Sequence, residues 1–187
     1  MQPLEAMETA IAQTRPIVAA ISPDQYEGTT PCTDWDVRAL LDHLLGVLAL
    51  WRDLPSGTAD PAVLGQAHIG DDPSRSYDAL AAAVLTAWRA DSVVDNPVQF
   101  PGSEMPGGFA ARMLAGDVLL HGWDLARATG QTRSWDEELA ADILDWQEQA
   151  ARRFPPDVRA RAFAPEVAVP AGADTMTRLV GFVGRQR

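Results

Sequence analysis

Lysine is missing from this 187-residue chain: all fifteen basic residues are Arg, set against 26 Asp and Glu, for a net charge of -11. Without clustered basic residues there is nothing to neutralise phosphates, so nucleic acid is not an expected partner. The same balance argues against an anionic membrane surface. Using Arg alone as the basic residue reads mainly as the codon bias of a GC-rich genome. Cysteine is nearly absent too. Cys32 stands alone, which excludes an intramolecular disulfide and suits a reducing cytoplasm. No apolar run approaches the roughly 18 residues of a spanning helix. The start, Met1-Gln2-Pro3-Leu4-Glu5, lacks the basic and apolar segments of a signal peptide. A soluble, cytoplasmic protein is expected.

What is present is ordinary for a globular protein: 47% hydrophobic and 22% charged residues. The length suits one domain over residues 1–187 with a sizeable core. Six Trp suggest large side chains filling gaps between helices.

Periodicity predicts helices. The first runs from Pro3 to Ile21, with Met7, Ala10, Ile11, Ile17 and Val18 as its apolar stripe and Pro16 as a kink. A loop over Ser22 to Pro31 follows. Thr33 can cap a second helix, with Asp36 three residues on, and Asp34 and Asp36 suit the positive end of its dipole. Its body, Val37 to Leu54, is apolar almost all round, which places it centrally. His43 lies on the face shared with Leu40 and Val47. Pro55 to Ser74 forms a long polar connection carrying His68. A third helix is predicted over Tyr77 to Val94, a Pro/Gly-rich loop over Asn96 to Gly108, and a fourth helix over Phe109 to Thr129. Gly130 and Arg127 mark the end of that helix. Ser134 and Glu137 make a capping box for a fifth helix reaching Arg153, stopped by Pro155-Pro156. Residues 153–187 form a short C-terminal addition, with a mixed tail from Arg161, a brief extended piece at Val167 to Pro170 and a last helix at Thr175 to Gly184.

The fourth helix carries the chemistry. Asp117 and His121 are four residues apart, one above the other on a helix face. In an apolar wall such a pair costs several kcal/mol, about 2–7 for a polar group without a partner, unless it is satisfied. A local hydrogen bond between the two side chains satisfies it, and so does a metal ion. Helical bundles build cofactor sites from side chains projecting inward on facing helices. His43, Asp117 and His121 make a reasonable ligand set for a divalent transition metal with one position left open. Asp124, three residues after His121, can orient a ligand from behind or pair with Arg127. Cys32 reads as a structural thiol, His68 as a solvated loop residue, and Trp35, Trp51 and Trp123 as packing groups.

The string Thr30-Pro31-Cys32-Thr33-Asp34-Trp35-Asp36-Val37-Arg38-Ala39-Leu40-Leu41-Asp42-His43 resembles the first signature of the mycothiol-dependent maleylpyruvate isomerase-like branch of the DinB superfamily. Asp117 through Gly130 resembles the second, and Phe163 to Arg185 is similar to the ending of small actinobacterial members. The resemblance implies an all-α fold, the DinB-like four-helix bundle in an up-down-down-up arrangement with long crossover loops and a short C-terminal extension. It implies a divalent metal, zinc or nickel, held by His43, Asp117 and His121, where the isomerases carry Glu at the position of Asp117. It further implies mycothiol, a low-molecular-weight thiol, as cofactor, and transferase or isomerase chemistry on a small electrophile. A metal- or small-molecule-binding bundle without catalysis stays open as the alternative. DinB-like bundles often pair, which leaves a homodimer open, although no exposed apolar helix face demands one.

Overall fold

Four apolar stretches become four helices in the computed structural model, which describes residues 1–33, 35–90, 92–153 and 163–185. They are α1 (Pro3–Val18), α2 (Val37–Asp53), α3 (Pro73–Trp88) and α4 (Gly107–Ala128). A short antiparallel hairpin, β1 (Pro97–Phe100) and β2 (Ser103–Pro106), precedes α4. Two further helices follow, α5 (Glu137–Arg153) and α6 (Thr175–Phe182). The chain is mostly helical, as expected, and divides into two compact units: residues 2–132, and residue 1 with residues 133–187.

In the first unit α1 packs on α4 and α3, and α2 packs on α3 and α4. The core is leucine-rich: Leu40, Leu41, Leu44, Leu45 and Leu48 of α2 and Leu114, Val118 and Leu119 of α4 are all wholly buried. Each buried leucine contributes about 1.5–3 kcal/mol. Buried side-chain donors also tie the helices together through backbone carbonyls. Trp51 Nε1 donates to Ala110 O (3.0 Å), Trp88 Nε1 to Trp51 O (2.8 Å), Tyr77 Oη to Ile11 O (2.9 Å) and Thr14 Oγ1 to Val118 O (3.2 Å). These bonds fix how each helix is turned about its own axis, which periodicity alone leaves loose.

Gly122 allows the closest of these approaches. A Cβ there would lie 2.5 Å from Thr14 Oγ1 and 3.2 Å from its Cγ2, so α1 and α4 meet where α4 carries no side chain.

Several ends differ from the sequence-based expectation. Helix α2 starts at Val37, and its cap is Asp36, whose Oδ1 accepts from Ala39 N at 2.8 Å, not Thr33. A bridge from Asp36 to Thr29 and a bond from Val37 N to Gly28 O tie the chain down just ahead of the helix. Helix α3 starts early, at Pro73, behind an Asp72 cap. It ends early, at Trp88, where the chain soon turns through Ser92 at φ +68°. Helix α5 is capped by Asp136, which accepts from Leu139 N at 2.8 Å, and the expected Ser134 cap gives way to it. Val167 to Pro170, expected as a brief extended piece, pairs in no sheet, and Val167 N donates to Gly181 O. The end of α4 matches its signal: Gly130 takes φ +69°, Gly130 N donates to Arg127 O, and Gln131 N donates to Ala126 O. The stop assigned to Pro155-Pro156, the tail start at Arg161 and the dipole role of Asp34 lie outside the described residues.

Candidate metal centre

His43 sits in the second turn of α2 and Asp117 and His121 lie on α4, and the packing of α2 on α4 turns all three toward one another. One donor atom from each falls within 4.8 Å of the other two. His121 Nε2 stands 3.5 Å from Asp117 Oδ1. Two ligands of a tetrahedral ion with bonds of about 2.1 Å stand about 3.4 Å apart, so this pair is already at ligand spacing. Two imidazoles and a carboxylate suit zinc, nickel and similar divalent ions and leave a coordination position over. The donor set fits a metal.

The other edge of His121 is engaged as well. Its Nδ1 lies 3.3 Å from Asp124 Oδ2, and Asp124 is wholly buried. With Nδ1–H donating to Asp124, the lone pair of Nε2 points at the shared space beside Asp117. This is the arrangement by which a buried carboxylate fixes the tautomer and ring plane of a metal-binding histidine. Arg127, the alternative partner considered for Asp124, is exposed, with its guanidinium 5.9 Å from the centre of the Trp123 ring.

Electrostatics mark the same space as one for positive charge. Burial disfavours a charged His121, but the charge and hydrogen bonding of Asp117, followed by those of Asp124, outweigh it and raise its pKa to about 9. His43 moves the other way. Burial lowers its pKa, and His121 adds to that, against the pull of Asp117. In the metal-free protein, then, His121 carries a proton between two carboxylates while His43 is neutral.

Sequence reasoning took Trp35 for a packing group, yet it lies against both imidazoles. Its ring centroid is 4.3 Å from that of His43, with the planes tilted by 34°, and 5.8 Å from that of His121. The only signal was its place inside the first signature string. Its position depends on a turn: Thr30 Oγ1 donates to Trp35 O at 2.8 Å, and Trp35 N donates to Cys32 O at 2.9 Å. Cys32 itself is half-buried on that turn.

His68 is not the solvated residue expected. It is half-buried over Gly46, with its Nε2 2.6 Å from Val63 O. Asp42, next to His43 in sequence, accepts from His68 N and Ile69 N at 2.7 and 3.0 Å. The long connection after α2 is therefore clamped back onto α2.

The model of the mycothiol maleylpyruvate isomerase N-terminal domain matches residues 7–126, a span that holds all of these residues up to Asp124. An uncharacterized protein of Mycobacterium tuberculosis, matched in two strains, is 32% identical over 192 residues, covering 99% of this chain and 98% of that protein. No solved structure matches.

Proposed function

The chain belongs to the mycothiol maleylpyruvate isomerase N-terminal domain family, and on that premise we propose that it is a divalent-metal protein using a low-molecular-weight thiol. Its chemistry in this reading is transferase or isomerase chemistry on a small electrophile. The observation that carries the proposal is the convergence of His43, Asp117 and His121 on one space, with one donor atom of each within 4.8 Å of the others. The same premise assigns α1 to α4 the up-down-down-up order of the DinB bundle.

The residues divide the work. His43 and His121 supply the neutral nitrogen ligands and Asp117 the charge-balancing oxygen. Asp124 accepts from His121 Nδ1 and keeps the ring from turning its Nε2 away. A divalent ion held here, zinc or nickel, supplies an electrophilic position that keeps a thiol ionised near neutral pH. A thiol such as mycothiol would be the group such an ion activates, and Trp35 would wall one side of the space it occupies. Loss of the His121 proton is part of loading the site, because a protonated imidazole cannot ligate.

Metal-loaded protein screened against small electrophiles with mycothiol, bacillithiol and glutathione tests the reading. Turnover that needs both metal and one of the thiols supports it. Stoichiometric metal without turnover under any thiol would sink the catalytic part and assign the protein to metal binding alone.

A further inference from the structure

The two imidazoles of the cluster are held by different means. His121 is oriented by a hydrogen bond from Nδ1 to a wholly buried carboxylate. For the His43 ring no such acceptor occurs among the described residues. What it has instead is aromatic contact on two sides. The indole of Trp35 lies at 4.3 Å and 34°, close to a stacked arrangement, and His121 lies at 5.0 Å with its plane nearly perpendicular, at 87°. Aromatic pairs at such spacings are favourable beyond simple burial. A ring lodged against a neighbouring aromatic ring at this spacing resists rotation about its Cβ–Cγ bond.

That neighbour is itself fixed. Trp35 sits on a turn closed by its own N–H to Cys32 O, and its carbonyl accepts from the Thr30 hydroxyl, whose oxygen in turn accepts from Cys32 N. The bridge between Thr29 and Asp36 holds the chain on either side of this turn. The indole therefore stands on an anchored platform ahead of α2, not on a loose loop tip.

We propose that Trp35 is a positioning residue for His43: its indole holds the imidazole in the ligating orientation and walls off one side of the metal space. It does for His43 what Asp124 does for His121, by stacking in place of a hydrogen bond. This inference rests on the metal-binding reading above.

Cobalt(II) titration with visible absorption tests it, using wild type, Trp35→Ala, Trp35→Phe and Thr30→Val. Trp35→Ala is expected to weaken cobalt binding about 3–10-fold, the size of effect an aromatic contact carries, and to alter the d–d spectrum. Trp35→Phe is expected to restore affinity to within about twofold, because an aromatic ring remains against His43. Thr30→Val keeps the indole but frees its turn, and should fall in between. In the metal-free proteins, the carbon-bound protons of the His43 ring should show an upfield ring-current shift that vanishes in Trp35→Ala and persists in Trp35→Phe. Wild-type affinity and spectrum in Trp35→Ala, or unmoved His43 resonances, would overturn the proposal while leaving the metal site standing. A wild-type protein that takes up no cobalt overturns the metal reading itself, and the ligating role of His43 with it.

Discussion

Raising the pH of the metal-free protein from about 6.5 to about 9 should weaken its fold and strengthen its hold on a metal ion. Both effects come from one proton. In the folded metal-free state Asp117 and Asp124 overcome the cost of burial and raise the His121 pKa from 6.5 to about 9. A folded pKa above the unfolded one stabilises the fold fully below about 6.5, and the gain disappears as pH climbs through about 9. A difference of about 2.5 units, at about 1.4 kcal/mol each, makes the loss about 3 kcal/mol. The metal needs His121 neutral, so the same proton competes with it, and apparent affinity should rise about tenfold per pH unit until about pH 9. His43, already pushed toward neutrality by burial, adds nothing to that slope. Urea unfolding of chelator-treated protein at the two pH values measures the first effect. Calorimetric metal titrations at pH 7 in buffers of different ionisation enthalpy measure the second, as about one proton released per ion bound. Subtracting the unfolding measurements on His121→Asn removes other groups that titrate in the window. Equal stability at both pH values together with no proton release would refute the picture of a proton standing where the metal binds.

Other expectations follow from single contacts. Asp124→Ala should lower metal affinity about 10–100-fold in a competition titration, by freeing the ring of His121; unchanged affinity would show that the 3.3 Å contact does not orient the ligand. Gly122→Ala should destabilise by about 1–3 kcal/mol, since its Cβ would meet Thr14 at 2.5 Å, lowering Tm by about 3–10 °C. Gly65→Ala, whose Cβ meets nothing within 4 Å, is the control, and equal melting of the two variants would contradict the close approach of α1 and α4. Asp42→Ala should leave metal binding intact but speed amide exchange at His68 and Ile69 more than about tenfold, because both amides lose a charged acceptor. Protected amides in that variant would mean the connection is held by something other than Asp42.

Asp117 and His121 were legible in the sequence because helical geometry stacks residues four apart, and nothing tertiary is needed to bring them together. His43 was different. Its place depends on α2 facing α4, which periodicity does not determine; it was a candidate as a histidine on the central helix, and the resemblance of two strings strengthened it. Asp124 was visible as a neighbour of His121, but the choice between His121 and Arg127 as its partner is a matter of side-chain direction. Trp35 could not be placed, since its indole is aimed by a turn that Thr30 closes through its hydroxyl. The hairpin before α4 was read as loop because Pro97, Pro101, Pro106 and Gly102 are turn residues. Pairing across Val98 and Met105, with Val98 buried and Phe100 against Trp51 at 5.7 Å, makes it a strand pair all the same. The caps at Asp36 and Asp136 were each present in the sequence, but Thr33 and Ser134 nearby offered an equal signal, and Asp72 was passed over because the third helix was started at Tyr77. Burial and backbone bonding decided among them.

The central claim is that His43, Asp117 and His121 hold one metal ion together. Elemental analysis of untagged protein after reconstitution with zinc or nickel, run beside His43→Ala and His121→Ala, tests it most directly. About one equivalent in the wild type and less than about a tenth in either variant is the expected result, since losing one of three ligands leaves too few to hold the ion. A wild type without metal, or a variant that keeps a full equivalent, would contradict the account.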